Sequence, residues 1–356
     1  MGVIYSLVAR PIISVMDSEK AHKRAILALR IISFTVFGRM LLRILYKPRD
    51  IVVKQIGLSF SNPLGLAAGM DKKAEAMIGW ENLGFGFIEI GGVTMLEQEG
   101  NPLPRMFRSG RHKALVNRMG FNNPGSEKMA SHLSKVRKPN IPVLLNVGKS
   151  KTTTLEAAHS DYSTTVQRCE KFVDGFVINV SSPNTPNLRD LQTDSDLTRI
   201  IESVKLHSND KPVLVKISPD LDDEQILVIV DTARKVGCAG IIATNTTLSR
   251  PDEDGIMIEK GGLSGEPLRK RSTEVIRLIA DHTDGKWPII GVGGISNSDD
   301  AWEKIINGAS LVQIYSAMVF HGGGVIKEIV NGLERKLRQN NIPNLESAVG
   351  LLRRED

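Results

Sequence analysis

The sequence predicts an α/β protein built as a (β/α)8 barrel and preceded by a small helical extension. After Pro48, eight short apolar runs recur along the chain, and amphipathic segments of helical length separate them. Each run is nearly continuously apolar, as in parallel strands that helices cover on both faces. Eight such units over roughly 280 residues fit the usual size of this barrel. An open doubly wound sheet is the alternative, but it usually has fewer strands and one dominant glycine loop near its start.

The extension, residues 1–46, mixes Ile, Leu, Phe and Met with basic residues. Between residues 21 and 49, the longest uncharged run, Ile31–Gly38, is far shorter than the roughly 20 apolar residues that span a bilayer. The segment has no signal-peptide cleavage pattern and no obvious mitochondrial import character. Two amphipathic helices lying on a membrane surface are predicted. A helical cap packed on the main domain is an equally supported alternative.

The barrel is expected to occupy residues 47–340, followed by a C-terminal tail at 341–356. Helices are expected at Glu224–Val236, Arg271–His282 and Asp299–Asn307. The eight predicted strands are 63–70, 85–93, 142–148, 175–182, 212–218, 240–247, 288–296 and 311–318.

Composition narrows the class of protein. The two cysteines, Cys169 and Cys238, lie far apart and form no CxxC motif, which argues against a disulfide framework or a zinc site. No HxxxH or similar metal-binding spacing occurs, so no metal site is expected. The net charge of +6 is mild and is compatible with nucleic acid, an anionic membrane or a phosphate-bearing ligand.

Glycine clusters predict a phosphate site. GGLSG (261–265) and GVGGIS (291–296) surround the seventh strand, and IYS (314–316) ends the eighth. Barrels of this class often bind phosphate after these strands, because glycine lets backbone N–H groups approach the phosphate closely. Tight turns alone are the alternative interpretation.

Two lysines stand at strand ends. Lys216 interrupts the apolar run VLVKIS, so its ammonium needs a partner such as Asp220, solvation at the barrel rim, or an electron-rich ring above it. Lys72 follows the first strand and offers a second cation, although a solvated loop lysine would look the same.

Asparagines recur at the same ends of the strands. An Asn amide both donates and accepts, so several amides aimed into one barrel mouth would suit a small heterocycle with alternating C=O and N–H groups. Any one of them alone is more readily explained as a turn residue. The set is Asn117, Asn146, Asn179, Asn184 and Asn245.

The stretch NVSSPNTPNLRDLQ (179–192) follows the fourth strand and holds Ser182 between small polar residues and two spaced prolines. No histidine ends a strand, and neither GxSxG nor a Ser–His–Asp pattern occurs. The chemistry therefore requires an unusual base or a cofactor that carries the difficult step. Ser182 could otherwise simply cap a turn.

Together these motifs resemble those of the class 2 dihydroorotate dehydrogenases, the quinone-dependent, membrane-associated flavoenzymes of pyrimidine biosynthesis. The resemblance runs from MDSEKAH (16–22) to VQIYSAMVFHGG (312–323). The motifs that carry it are NPLGLAAGMDK, FGFIEIGGVT, NRMGFNN, NVSSPNTPNLR, ATNTTLSR, GGLSGEPL and IIGVGGIS.

The resemblance implies FMN in the barrel mouth and oxidation of (S)-dihydroorotate to orotate, with electrons passing to a membrane quinone. The residues implied at the cofactor are Ala68, Gly69, Met70, Asp71, Lys72, Gly92, Asn146, Asn179, Lys216, Thr244, Gly265, Gly294, Tyr315 and Ser316. Those implied at the substrate are Lys72, Asn117, Arg118, Met119, Gly120, Phe121, Asn179, Asn184, Asn245 and Thr246. Those implied in a quinone tunnel are His22, Arg108 and Tyr315.

In this family Ser182 would take the C5 proton while a hydride passes from C6 to flavin N5, and Thr185 is the candidate for relaying that proton. Gly92 departs from the pattern, since relatives often carry Thr or Ser there. We also expect a monomer that binds no nucleic acid. The absence of an obvious import segment favours a peripheral position on the cytoplasmic side of a bacterial inner membrane. A mature mitochondrial protein is the alternative location.

Three other functions compete with this interpretation. A dihydrouridine synthase would act on transfer RNA and use a cysteine acid, but neither cysteine ends a predicted strand. A flavin-free isomerase or aldolase and a non-catalytic membrane-associated barrel are the other two.

Overall fold

The computed structural model describes residues 16–181, 191, 194–252 and 254–354. Its centre is a closed barrel of eight parallel strands, which confirms the predicted fold class. In chain order, the described strands are β1 (Val53–Gln55), β2 (Leu58–Phe60), β3 (Leu64–Leu66), β4 (Phe87–Val93), β5 (Met106–Ser109), β6 (Ala114–Asn117), β7 (Val143–Val147), β8 (Gly175–Asn179), β9 (Val213–Ile217), β10 (Gly240–Ala243), β11 (Gly262–Gly265), β12 (Ile289–Val292) and β13 (Leu311–Ile314). The barrel is formed by β3, β4, β7, β8, β9, β10, β12 and β13.

Helices cover the outside of this barrel. They are α1 (Ser18–Phe34), α2 (Val36–Tyr46), α3 (Met77–Leu83), α4 (Gly125–Leu133), α5 (Ala158–Cys169), α6 (Asp194–Lys205), α7 (Asp223–Lys235), α8 (Arg269–His282), α9 (Ser298–Ile306), α10 (Ser316–His321), α11 (Gly324–Gln339) and α12 (Leu345–Ala348). Short 3-10 turns occupy Glu170–Phe172, Gly255–Ile258, Glu266–Leu268 and Leu351–Arg354.

The barrel strands follow one another around the ring in chain order, and β13 pairs with β3 to close it. Every residue of β7, β8, β9 and β13 is buried. Helices outside and side chains inside the barrel both exclude water, which explains why the predicted runs are continuously apolar rather than alternating. All eight predicted runs contain a barrel strand.

Two small sheets were not predicted. β1 and β2 form an antiparallel pair, and β6 lies between β5 and β11 in a three-stranded antiparallel sheet. The glycine segment 261–265 therefore lies largely in strand β11. These strands have three or four residues each, too few for periodicity to distinguish them from loops.

The N-terminal helices are present as predicted. Asp17 caps α1 by accepting from the Lys20 N–H at 2.9 Å, and Thr35 caps α2 by accepting from the Gly38 N–H at 3.0 Å. One face of the pair packs on the barrel, where Leu29 and Leu42 join the core. The other face carries large apolar side chains in solvent, namely Leu27, Ile31, Ile32, Phe34, Val36, Phe37, Met40, Leu41, Ile44 and Leu45.

The helix pair therefore combines a packed cap with an uncovered apolar surface. Among the described helices, none taken singly has the length and apolar character needed to cross a bilayer. Only α1 and α2 taken together meet that criterion, and they are bent by 112° relative to each other. The divisions at residues 46 and 340 remain predictions, and in the tail Leu345 and Ala348 pack into the core.

Candidate active site

A cleft of about 1080 Å³ opens at the carboxyl ends of the barrel strands. This volume includes space that is open to solvent. Most of the residues predicted for the site line it. They are Ala68, Gly69, Lys72, Gly92, Asn117, Met119, Gly120, Phe121, Asn146, Asn179, Lys216, Thr244, Asn245, Thr246, Gly265, Gly294, Tyr315 and Ser316.

Three predicted residues lie elsewhere. The carboxylate of Asp71 is buried and accepts from the Ala76 N–H at 2.9 Å and the Trp80 indole N–H at 3.0 Å, so it fixes the turn after β3. Met70 lines a neighbouring apolar cleft. Arg118 donates to Glu259 at 2.6 Å and stacks on the Phe107 ring, outside the main cleft.

Ser182, Asn184 and Thr185 lie outside the described residues. The preceding Ser181 is buried, and its hydroxyl donates to the Lys216 carbonyl at 2.6 Å. This bond ties the end of β8 to β9 immediately before the loop that the sequence singled out.

A buried ion pair forms the floor of the cleft. The Lys216 ammonium lies 3.2 Å from Glu89 Oε2, and their side chains are 5% and 0% exposed. Among the alternatives predicted for Lys216, pairing with an Asp such as Asp220 is wrong. Its carboxylate accepts instead from the Thr247 hydroxyl and from the Leu248 N–H, which holds the loop after β10.

A chain of hydrogen bonds begins at Glu89 and orients the amides around the cleft. Glu89 Oε1 accepts from Asn146 Nδ2 at 2.6 Å, and Asn146 Oδ1 accepts from Asn179 Nδ2 at 3.0 Å. Asn179 Oδ1 then accepts from Asn245 Nδ2 at 3.4 Å. Because a carboxylate can only accept, it sets the direction of every amide in the series.

Lys72 stands in the wall of the cleft and donates to Asn122 Oδ1. Burial, together with the nearby Arg105 guanidinium, lowers the pKa of Lys72 to about 7, while the Glu19 carboxylate acts in the opposite direction. Arg105 is itself held by Glu19 of α1 through two bonds of 2.9 and 3.0 Å. The N-terminal helix thus contributes charge to the wall that carries Lys72.

Glycines form one corner of the cleft. Gly265 and Gly294 have φ values of +105° and +71°, a backbone region that side chains disfavour. A Cβ on Gly294 would lie 2.4 Å from Arg269 Cβ. This corner consequently exposes backbone, beside the hydroxyl of Ser316.

Gly92 makes room for an aromatic ring. A Cβ at this position would lie 2.5 Å from Phe121 Cε1 and 2.7 Å from Asn146 Oδ1. The Thr or Ser expected here from the resemblance would therefore require Phe121 to move.

An apolar cleft of about 830 Å³ lies between α1, α3 and the barrel. His22, Arg108 and Tyr315, the three residues predicted for a quinone tunnel, all line it. Burial lowers the pKa of His22 to about 4 and raises the pKa of the Tyr315 phenol to about 12, so both side chains are uncharged at neutral pH. Tyr315 also lines the main cleft and thus separates the two spaces.

Two floor residues were missed by sequence reasoning. Glu89 interrupts FGFIEIGGV, and Gln313 interrupts LVQIYSAM. Gln313 Nε2 donates to Glu89 Oε2 at 2.9 Å. Both are single polar residues inside an apolar strand, which is the signal that drew attention to Lys216 and could have found them.

Comparison with known proteins gives one consistent family. The family model described as dihydroorotate dehydrogenase matches residues 51–337. A curated relative from Gloeobacter violaceus, named dihydroorotate dehydrogenase (quinone), is 46% identical over 96% of this chain and 97% of its own length. One of the same name from Crocosphaera subtropica is 44% identical over 94% of each chain.

A solved structure agrees with these relatives. The crystal structure of DHODH from Eimeria tenella in complex with ferulenol has a TM-score of 0.86 and 35% sequence identity. The match covers 94% of this chain and 95% of that one.

Proposed function

Because this chain belongs to the dihydroorotate dehydrogenase family, we propose that it oxidises dihydroorotate to orotate with FMN and delivers the electrons to a membrane quinone. The observation that carries this proposal is the pair of spaces that share Tyr315. The one at the barrel mouth is lined by asparagines and two lysines, and the one beneath α1 is mainly apolar. A polar substrate and an apolar electron acceptor would thereby approach one cofactor from different sides.

The chemistry of the cleft fits FMN. Its floor offers the Lys216 ammonium and the Asn146 amide to a polar ring edge, and Ile314 and Val292 line it with apolar surface. The corner at Gly265, Gly294 and Ser316 suits a phosphate group, since close-approaching backbone N–H groups and a hydroxyl can donate to it. FMN held by these residues would supply the hydride acceptor that the oxidation requires.

Dihydroorotate is assigned to the wall that carries Lys72. Its carboxylate would pair with the Lys72 ammonium, and Asn117, Asn179 and Asn245 would contact the ring C=O and N–H groups. The chain of hydrogen bonds from Glu89 supports this assignment, because it presets two of those three amides before substrate arrives. Thr246 adds a hydroxyl on the same side of the cleft.

Ser182 is assigned as the base that removes the proton from C5 of dihydroorotate. A serine hydroxyl is a weak base in water, so it needs a second group to pass the proton on, and Thr185 is the candidate. Neighbouring Ser181 is unsuited to this role, because its hydroxyl already donates to the Lys216 carbonyl.

The quinone is assigned to the apolar cleft. Ala21, Ala25 and Leu29 of α1 line this cleft, together with Met318 and Val319 of α10. His22 and Arg108 supply the polar groups that a quinone carbonyl would accept from.

Helices α1 and α2 are assigned as a peripheral membrane anchor. Phe34 and Phe37 are 85% and 76% exposed, and basic residues such as Lys23 and Arg30 lie on the same helices. Apolar side chains with basic neighbours are typical of helices that lie in an anionic membrane surface. The inner face of a bacterial cell membrane and a monomeric enzyme are the proposed setting.

The two half-reactions test this function. Purified protein should carry FMN, dihydroorotate should bleach it without oxygen, and a membrane quinone should restore its colour. A colourless protein that binds no flavin would contradict the proposal and favour a flavin-free barrel. Protein whose flavin is not reduced by dihydroorotate, but whose chemically reduced flavin is reoxidised by transfer RNA, would favour a dihydrouridine synthase.

Two alanines of α1 provide a test of the apolar cleft as the quinone site. Ala25 lines the apolar cleft, whereas Ala28, also exposed on α1, does not. Ala25→Phe should slow reoxidation by quinone and leave reduction by dihydroorotate unchanged. Ala28→Phe should change neither rate. Equal quinone rates in both variants would show that the apolar cleft is not the quinone site.

A further inference from the structure

Lys304 of α9 is a buried cation outside the site described so far. Its side chain is 0% exposed, and its ammonium donates to the Arg269 carbonyl at 2.8 Å, Ser272 Oγ at 2.5 Å and Thr273 Oγ1 at 2.6 Å. All three acceptors are uncharged. A buried charge is costly when no opposite charge compensates it, and here burial lowers the pKa of Lys304 to about 7.

The two carboxylates that act on Lys304, those of Asp300 and Glu303, are engaged by another cation. Arg269 lies 2.6 Å from Asp300 Oδ1 and 3.7 Å from Glu303 Oε2. Asp300 also accepts from the Ser296 N–H at 2.9 Å. These acids raise the pKa of Lys304 only from a distance, and its direct contacts stay neutral.

The ammonium sits directly behind the glycine corner of the cleft. Ser272, which accepts from Lys304, donates to the Gly293 carbonyl at 3.0 Å. Arg269, whose carbonyl accepts from Lys304, forms the surface that leaves no space for a Cβ on Gly294. Lys304 therefore holds the two residues that support Gly293 and Gly294, and both glycines line the cleft.

We infer that Lys304 is the buried counter-charge for the cofactor's phosphate and positions the glycine corner that receives it. This inference rests on the proposed function, because it requires FMN at that corner. A dianionic phosphate beside Gly294 would supply the negative charge that the direct contacts of Lys304 lack. Lys304 acts across Ser272 and Gly293 and needs no direct contact with the phosphate.

Comparing FMN with riboflavin tests the inference, because riboflavin has the same ring and no phosphate. Flavin-free protein is titrated with each flavin, and binding is followed by quenching of flavin fluorescence. Lys304→Met should weaken FMN binding by about tenfold, the scale of one interaction with a charged group. Riboflavin binding should be unchanged. The Arg269 carbonyl keeps a donor in this variant, because the Thr273 hydroxyl also donates to it at 3.0 Å.

Lys304→Gln provides a second variant, since it retains a hydrogen-bonding group without the charge, and it should show the same selective loss. Lys205→Met is the matched control. Lys205 also donates to backbone carbonyls, those of Val236 and Gly237, and its loss changes the net charge equally. The FMN-to-riboflavin affinity ratio should stay at the wild-type value in this control.

Two results would overturn the inference alone. An unchanged affinity ratio in both Lys304 variants would show that its charge does not reach the phosphate. An equal loss for both flavins would show a purely structural role. Wild-type protein that binds neither flavin would overturn the proposed function as well, so the two failures are distinguishable.

Discussion

The ammonium of Lys216 lies 3.2 Å from Glu89 Oε2, and this pair joins two barrel strands beneath the candidate cofactor site. Removing either partner would leave the other charge buried and uncompensated. Glu89→Gln and Lys216→Met should each lower the free energy of unfolding of the flavin-free protein by about 3–5 kcal/mol. Urea unfolding measures this loss.

The double variant, Glu89→Gln with Lys216→Met, tests whether the two charges stabilise each other. Because it leaves no lone charge, it should lose less than the sum of the single variants, by about 0.5–3 kcal/mol. The exposed pair Lys113–Glu266, 2.7 Å apart, is the control and should contribute less than about 1 kcal/mol. Strict additivity of Glu89→Gln and Lys216→Met would contradict the coupling.

Binding of orotate should depend on the protonation of Lys72. The pKa of Lys72 is lowered to about 7, so its ammonium is mostly charged below that pH and mostly neutral above it. An anionic carboxylate selects the charged form. Affinity for orotate should therefore fall as pH rises through about 7, approaching about tenfold per pH unit. Calorimetric titration from about pH 6 to about pH 8.5 measures this dependence.

Two variants test whether Lys72 causes the pH dependence of orotate binding. Lys72→Met should bind orotate weakly at every pH in the range, with a flat profile. Glu19→Gln should move the fall in affinity to lower pH, because the Glu19 carboxylate raises the pKa of Lys72. His22, whose pKa is about 4, does not titrate in this window. A profile that Lys72→Met leaves unaltered would assign the dependence to another group.

Ser182→Ala should retain FMN but reduce it slowly with dihydroorotate. Loss of a general base typically costs about 10²–10⁴-fold in rate. Ser182→Cys should recover part of the rate, because a thiolate is also a base. Stopped-flow absorbance of the flavin measures each variant.

The adjacent serine is the control for this experiment. Ser181→Ala removes the bond to the Lys216 carbonyl and an acceptor of the Asn245 amide, so it should lower stability and weaken dihydroorotate binding, while flavin reduction at saturating dihydroorotate stays much closer to wild type than in Ser182→Ala. If Ser182→Ala were as fast as wild type, Ser182 would not be the base.

Membrane binding should depend on the exposed face of α2. Phe37 and Ile44 are 76% and 63% exposed. Each Ser substitution there should weaken partition onto anionic liposomes by about tenfold or more, since burying such a side chain contributes about 1.5–3 kcal/mol. Co-sedimentation with liposomes measures the partition.

A control variant distinguishes a specific role of α2 in membrane binding from the general effect of removing an exposed apolar side chain. Leu206→Ser removes a side chain that is 79% exposed in a different part of the barrel surface, after α6. It should leave liposome binding unchanged. Equal weakening by Leu206→Ser and Phe37→Ser would mean that α2 has no special role.

The barrel was predictable because its signal is local. Parallel strands buried on both faces produce apolar runs that can be counted along the chain, and α7 (Asp223–Lys235) differs from its predicted bounds by one residue at each end. Residues at the strand ends could likewise be assigned to one edge of the barrel.

The contacts between distant residues were not predictable. Lys216 clearly needed a partner, but a neighbouring Asp is no better a candidate than Glu89, which lies 127 positions away. The pairing of Glu19 with Arg105 is hidden for the same reason. Short antiparallel strands such as β5 and β6 depend on one another rather than on their own sequence, so only the folded chain reveals them.

The floor of the cleft has a consequence for how the protein is made. Glu89, Asn146, Lys216 and Gln313 come from β4, β7, β9 and β13, and pairing of β13 with β3 closes the ring. Almost the whole chain must therefore leave the ribosome before these four residues can come together at the floor of the cleft. Closure joins the ends of the barrel sequence, and such long-range contacts form slowly. During refolding, the rate of flavin binding would therefore report the docking of β13. A nascent chain stalled before β13 would bind no flavin and remain colourless.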